Sequence, residues 1–191
     1  MVIGERFAWC HLQKTGGDAT LLMFRLLPRL VLSSDERNVQ AKHAPFAERE
    51  HEIEGKLLAC NIRRLPEWSL SWAQHRAQRA DMPMNSPQRI AETPRGDRRI
   101  AHFTADGRFP IDRWLRTELL ADDVIAFASE LTDLEDAERE GIASRPPVNT
   151  LEYDHEVEHW FTPAHIRLMY GSNPVWSAIE ERVYGDLALL D

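Results

Sequence analysis

At 191 residues, with 43% hydrophobic and 28% charged residues, the chain has the make-up of one globular domain rather than a disordered segment. A formal net charge of −8 argues against general nucleic-acid binding, which draws most of its affinity from a basic face. It leaves room for a local basic pocket around one small anion. The two cysteines, Cys10 and Cys60, each lie in an apolar run and read as buried, reduced thiols. No charged-then-apolar leader precedes the first expected strand. The most apolar stretch, 21–32, is interrupted by Arg25, Pro28 and Arg29 and is too short to span a bilayer, so a cytoplasmic protein without a membrane span is expected.

In chain order, 6–12 reads as a buried strand running into a turn at Lys14-Thr15-Gly16-Gly17. Asp18 is a candidate N-cap for a helix over 19–29. Strand, glycine turn and helix follow in the order that lets a helix N-terminus receive a phosphate. A polar connection, 33–42, leads to His43-Ala44-Pro45, and 56–62 reads as a second buried strand ending in Arg63-Arg64. Pro66 suits the first turn of a helix carrying Trp68, Leu70, Trp72 and His75. The stretch 81–97, rich in Pro, Asn, Ser, Arg and Gly, reads as a loop over a binding face. A strand is expected over 111–118 and a helix over 121–131. The acidic run 133–140 reads as a solvated helical face, and 141–149 as a mobile connector. Two helices, 163–170 and 174–184, close the chain. Strands alternating with helices predict an α/β fold with a parallel β-sheet flanked by helices.

The glycine pair lets backbone N–H groups approach an anion with no Cβ in the way, and Lys14 adds a compact positive charge. Gln13 stands where a Walker A loop would carry glycine before its lysine, and the G-x-G-x-x-G spacing of a dinucleotide fold is absent. The stretch from Phe7 to Gly17, with His11, Lys14, Thr15, Gly16 and Gly17, resembles the 5′-phosphosulfate-binding segment of the sulfotransferase family. In that family the segment usually reads His-x-Pro-Lys-Thr-Gly-Gly-Thr-Ser. Gln13 replaces the usual proline, and Asp18 and Ala19 replace the two hydroxyl residues after the glycines. A carboxylate at Asp18 would oppose a phosphate unless its side chain turns back onto the helix as a cap, since like charges about 4 Å apart cost on the order of 1 kcal/mol even in water.

Further segments extend the resemblance in order. The family holds the nucleotide's 3′-phosphate with an arginine at a strand end and a serine eight residues on. Arg63 and Ser71 have that spacing, whereas an Arg-x-Pro pattern selects Arg64 before Pro66, so either arginine fits. Trp114-Leu115-Arg116-Thr117-Glu118-Leu119-Leu120-Ala121-Asp122-Asp123 resembles the family's late Arg-Thr-Glu-x-Leu-x-x-Asp segment, in which Arg116, Thr117 and Glu118 are expected to organise the sheet and its loops, and 161–185 resembles the end of bacterial members. The resemblance implies a P-loop NTPase-like sulfotransferase fold over 1–191 as a single domain. It implies 3′-phosphoadenosine 5′-phosphosulfate as donor, no metal, and a small-molecule, carbohydrate or lipid acceptor.

It also implies a nucleotide site made by Lys14, Thr15, Gly16, Gly17, Asp18, Arg63 or Arg64, and Ser71. Lys14 would stabilise the leaving phosphate. His43, in a segment similar to the family's His-x-Pro, would take the acceptor's proton, with Lys42 beside it as a candidate for the sulfonate. Two alternatives are weighed against this reading. One is a relative that binds a nucleotide or partner without catalysis, because of Asp18. The other is a zinc hydrolase on His155-Glu156-Val157-Glu158-His159, which fits H-E-x-x-H but lies in a strongly acidic stretch closed by Pro163. Arg95-Gly96-Asp97 matches an adhesion tripeptide by chance.

Overall fold

The computed structural model describes residues 1–36, 40–148 and 150–190, without the side chains of Gln40 and Ala41. Parts of two expected segments, 37–39 of the polar connection and Asn149 of the mobile connector, lie outside the described residues. Strands β1 (Val2–Gly4) and β2 (Phe7–Cys10) precede α1 (Gly17–Phe24), and β3 (Val31–Ser34) and α2 (Glu50–Ile53) precede β4 (Leu57–Ile62). Helices α3 (Leu65–Ala80), α4 (Pro87–Ala91) and α5 (Arg95–Thr104) come next. The chain ends with β5 (Arg113–Arg116), α6 (Leu120–Leu131), α7 (Asp136–Ala143), α8 (Pro163–Ser172) and α9 (Pro174–Tyr184). Short 3-10 turns cover Gln40–His43, Phe46–Arg49, Thr117–Leu119 and Val157–His159.

The chain forms two compact units, one from Met1–Ile62 and His102–Thr150, the other from Arg63–Ala101 and Leu151–Asp191. The first contains a five-stranded sheet of order β3-β1-β2-β4-β5. β2, β4 and β5 run parallel, while β1 is antiparallel to both β2 and β3. The expected α/β architecture is present, and the expectation of a wholly parallel sheet is corrected to a mixed one. β1 and β2 are separated by two residues, Glu5 and Arg6, which is long enough for a hairpin and too short for a parallel crossover.

β4 is buried along nearly its whole length and pairs in parallel on both sides, which its apolar sequence Leu-Leu-Ala-Cys-Asn-Ile permits. Cys10 and Cys60 face each other in the β2/β4 register as buried free thiols, with burial pushing Cys60 up to about 12. The core of this unit collects Phe7 and Trp9 from β2, Leu21 and Phe24 from α1, and Val124 and Phe127 from α6. Phe7 stacks on Phe24 at 5.3 Å between centroids and meets Phe127 edge-on at 5.4 Å, a geometry worth about 0.5–1.5 kcal/mol per pair beyond burial. In α6, Val124, Phe127 and Ala128 recur at the spacing of one helical face and are all buried.

The second unit is helical. Pro66 stands in the first turn of α3, and Trp68 packs on Trp72 at 5.8 Å and on Trp176 of α9 at 4.6 Å. Residues 81–97, expected as a loop, contain α4 and the start of α5; Ser86 accepts from the Arg89 N–H and Pro87 opens the helix, so the Pro and Ser punctuation marks a helix start. Two helix ends are clasped reciprocally. Asn173 Oδ1 accepts from the N–H groups of Gly96 (2.8 Å) and Asp97 (3.2 Å) in α5. In return, the Asp97 carboxylate accepts from Val175 (3.0 Å) and Trp176 (2.8 Å) in the first turn of α9. Gly96 is required there, because a Cβ would stand 2.9 Å from the Trp176 ring and 3.0 Å from Asn173 Oδ1. No helix among the described residues is long and apolar enough to cross a membrane.

Candidate functional site: the glycine turn between β2 and α1

The turn that follows β2 is built by two residues in the left-handed region, Lys14 at φ 66° and Gly16 at φ 76°. Gly16, not Asp18, is the N-cap of α1, and the helix begins at Gly17, so Asp18 lies inside the first turn. That corrects the expected cap. A left-handed N-cap costs glycine little and any other residue about 1 kcal/mol or more. Gly17 has a different reason: a Cβ there would sit 1.9 Å from Cδ2 of the His11 ring. The glycine pair thus sets the turn's path and lets His11 lie against the start of α1.

Three buried polar side chains hold the turn. Thr15 Oγ1 donates to the Leu12 carbonyl at 2.7 Å, closing the loop on itself. Asn61, fully buried on β4, donates through Nδ2 to the Thr15 carbonyl (2.7 Å) and to Thr20 Oγ1 (2.7 Å). Its Oδ1 accepts from the Trp9 indole at 2.7 Å. Thr20 Oγ1 in turn donates to the Gly16 carbonyl at 3.2 Å. One amide on β4 therefore ties β2, the turn and α1 together. Sequence reasoning passed over Asn61; the signal was a lone amide in an otherwise apolar buried strand, where burial obliges it to find partners.

Around the turn the structure gathers His11, Asp18, Lys42 and His43. Lys42 Nζ and Asp18 Oδ1 form an ion pair at 2.7 Å with both side chains largely buried. The carboxylate that stood against anion binding therefore has a cation on it. The same pair commits Lys42, so the lysine expected at the sulfonate instead neutralises the turn. The His11 and His43 rings lie 4.4 Å apart, edge to face. His43 Nδ1 lies 3.1 Å from the His11 carbonyl oxygen, which can only accept, so Nδ1 carries the hydrogen and Nε2 of the neutral ring holds the lone pair.

Burial lowers the pKa of His43 from its ordinary 6.5, and burial with the neighbouring His43 lowers that of His11 further. Both rings are neutral near pH 7.

Arg116 and Thr117 organise the sheet end, as expected for that segment. Asp123 accepts from the Arg116 backbone N–H at 2.7 Å and holds its guanidinium at 2.7 and 2.9 Å, while Thr117 Oγ1 donates to the Ile62 carbonyl at 2.9 Å. A cavity of about 780 Å³ in this unit is lined by residues that include Lys56, Leu58 and Asp112 at the amino ends of β4 and β5. The glycine turn lies at the carboxyl end of β2, where open α/β sheets place ligands.

The remaining expected residues, Arg63, Arg64 and Ser71, belong to the second unit. Arg64 donates to Glu180 (3.3 Å), to the Asp186 carbonyl (2.8 Å) and to the Asp186 carboxylate (2.6 Å), and its guanidinium lies 4.1 Å over the Tyr184 ring. Glu180, fully buried, also accepts from the Leu65 N–H and the Tyr170 hydroxyl, and Ser71 is buried on α3. In the H-E-x-x-H stretch, Val157–His159 is a single 3-10 turn rather than the helix that would align both histidines on one metal. His159 Nδ1 there lies 2.6 Å from the Asp154 carboxylate, which raises the imidazole pKa. Among the described residues no group of three or more His, Cys, Asp or Glu side chains is placed to hold a metal.

Asn61→Ala would strand the Trp9 indole and the Thr15 carbonyl in a dry core. Each orphaned group costs about 1–3 kcal/mol. Urea denaturation should show a loss of about 3 kcal/mol, and a loss below about 1 kcal/mol would mean that the amide is not what secures the turn.

Compared with known proteins, the chain matches no family model, no curated protein and no solved structure.

Proposed function

We propose that the chain is a sulfotransferase that moves a sulfuryl group from 3′-phosphoadenosine 5′-phosphosulfate to a hydroxyl or amine. The observation that supports this best is the neutral His43, its Nε2 lone pair unmasked, held beside a glycine turn whose acidic residue is paired. In the proposed reaction the acceptor oxygen or nitrogen attacks sulfur as the bond from sulfur to the bridging phosphate oxygen breaks. His43 Nε2 takes the acceptor's proton, and Lys14 stabilises the negative charge that builds on the departing 5′-phosphate. The products are the sulfated acceptor and adenosine 3′,5′-bisphosphate.

Lys14, Thr15, Gly16, Gly17 and the Asp18 N–H are the proposed 5′-phosphosulfate cradle. Arg63 or Arg64, with Ser71, is the proposed contact for the 3′-phosphate.

The reading is tested by calorimetric titration with adenosine 3′,5′-bisphosphate. Binding is expected, and its absence at millimolar ligand would sink the proposal. Lys14→Ala should weaken binding by about tenfold or more, the value of one charge-assisted hydrogen bond. Lys42→Met should also weaken it, because Asp18 is then left negative beside the phosphate. Adding Asp18→Asn to Lys42→Met should restore affinity, and a double variant as weak as Lys42→Met alone would refute the role given to the ion pair.

The pH dependence has a definite sign. A base must be deprotonated to act, and burial lowers the pKa of His43 below 6.5, so transfer should be fully active at neutral pH and fall only as pH drops beneath that value. His43→Ala should abolish transfer while sparing affinity for the bisphosphate. A rate that rises through pH 7–8, measured as kcat against pH, would point to a different base.

A further inference from the structure

Within the second unit, α3 and α5 enclose a cavity of about 520 Å³ lined by Trp72, Arg76, Thr93, Arg95, Arg98 and Arg99. Trp72 and Arg76 are one helical turn apart on α3. Arg95, Arg98 and Arg99 have the spacing that puts three side chains on one face of α5. Arg95 and Arg99 lean on the Trp72 ring, their guanidinium carbons 5.8 and 4.7 Å from its centroid. Both are half-buried, whereas Arg76 and Arg98 are exposed at the rim.

Among the described residues no carboxylate pairs with any of the four. The acid closest in sequence, Asp97, is turned away to accept from the first turn of α9. The four charges are near enough for Arg76, Arg98 and Arg99 to lower the pKa of Arg95, on top of its desolvation. The indole N–H of Trp72 is also buried without a hydrogen-bond partner.

A chain of net charge −8 does not lack acids with which to neutralise such a cluster. Arginines at i, i+3 and i+4 repel one another on their own helix, and partial burial strengthens the repulsion. Structural arginine elsewhere in this unit looks different: Arg64 is saturated by Glu180 and Asp186. A cavity whose charge no acid among the described residues answers, with guanidinium forks oriented by an indole ring, has the chemistry of a site for tetrahedral oxyanions. Its volume falls in the range of small-molecule pockets, about 300–1,000 Å³, and exceeds what a single phosphate fills. We infer that the second unit carries an anion-binding site, built by Arg76, Arg95, Arg98 and Arg99 around Trp72, for a compact ligand bearing several phosphate or sulfate groups. This site does not depend on the sulfotransferase reading, and Arg63, Arg64 and Ser71 take no part in it.

Two probes distinguish the sources of that chemistry: inorganic tripolyphosphate and sucrose octasulfate, each titrated calorimetrically at low salt and again at raised salt. Binding of either, weakening as salt rises, supports the site, and the tighter probe names the preferred oxyanion. Arg95→Gln/Arg99→Gln should cut affinity by about a hundredfold, at about tenfold or more for each guanidinium, while the melting temperature stays level or rises because repulsion is relieved. Arg98→Gln, at the exposed rim where folding is not at risk, should weaken binding about tenfold. Neither probe binding at millimolar concentration, or undiminished binding by the double arginine variant, would overturn the inference.

Discussion

The amide of Asn61 is the constraint on which the candidate site depends. A glycine turn with two left-handed residues has no reason of its own to hold one shape, since its backbone groups are satisfied equally well by water. Here the turn is closed from beneath by the Asn61 side chain on β4, which spends both Nδ2 hydrogens and an Oδ1 lone pair on three different segments. In a dry interior, each of those bonds is costly to lose. The conformation of the turn is thereby linked to the parallel pairing of β2 with β4. Rigidity at an anion site has a direct value, because donors already aimed at the ligand need no reorganisation when it arrives.

Charge at the turn is arranged by long-range pairing. Asp18 and Lys42 are 24 residues apart, and only the folding back of the Gln40–His43 turn brings the ammonium onto the carboxylate. The same turn delivers His43 to the His11 carbonyl. One short segment thus removes the electrostatic objection to phosphate binding and positions the candidate base. The carboxylate of Asp18 is thus answered by a partner outside the glycine turn.

Much of the architecture is legible in the sequence where a periodic signal is long. β4, α3, α6, α8 and α9 lie close to their expected bounds because apolar patterning, Pro at the first helical turn and the caps all agree. The failures have physical causes. β1 has three residues, too few for any periodicity to register, and its pairing turns the sheet from parallel to mixed. β3 is a half-exposed edge strand, Val-Leu-Ser-Ser, that reads as the fading end of an apolar run. In α4 and α5, proline and glycine resemble loop punctuation but act as a helix opener and as a close-approach residue.

For the site, the turn and its lysine are visible as a local pattern. Asn61 and the role of Lys42 are not, because both depend on contacts that only tertiary structure supplies.

Arginine shows the same limit most sharply. The spacing of the chain offers Arg63 and Arg64 as equals, and nothing local separates them. The partner that holds Arg64 lies 116 residues away, where Glu180 is buried without exposure and must be neutralised or hydrogen-bonded to remain there. A buried carboxylate claims the nearest guanidinium, because leaving it unpaired costs far more than any bond the arginine would make to water. Arg64 is therefore explained by the fold. Arg76, Arg95, Arg98 and Arg99 are not, since no acid among the described residues pairs with them and their mutual repulsion works against α5. Two sets of arginines in one helical unit, one answered from within and one unanswered, separate charge that serves the fold from charge available to a ligand. Net charge cannot make that separation, because it sums both kinds with the acids that offset them.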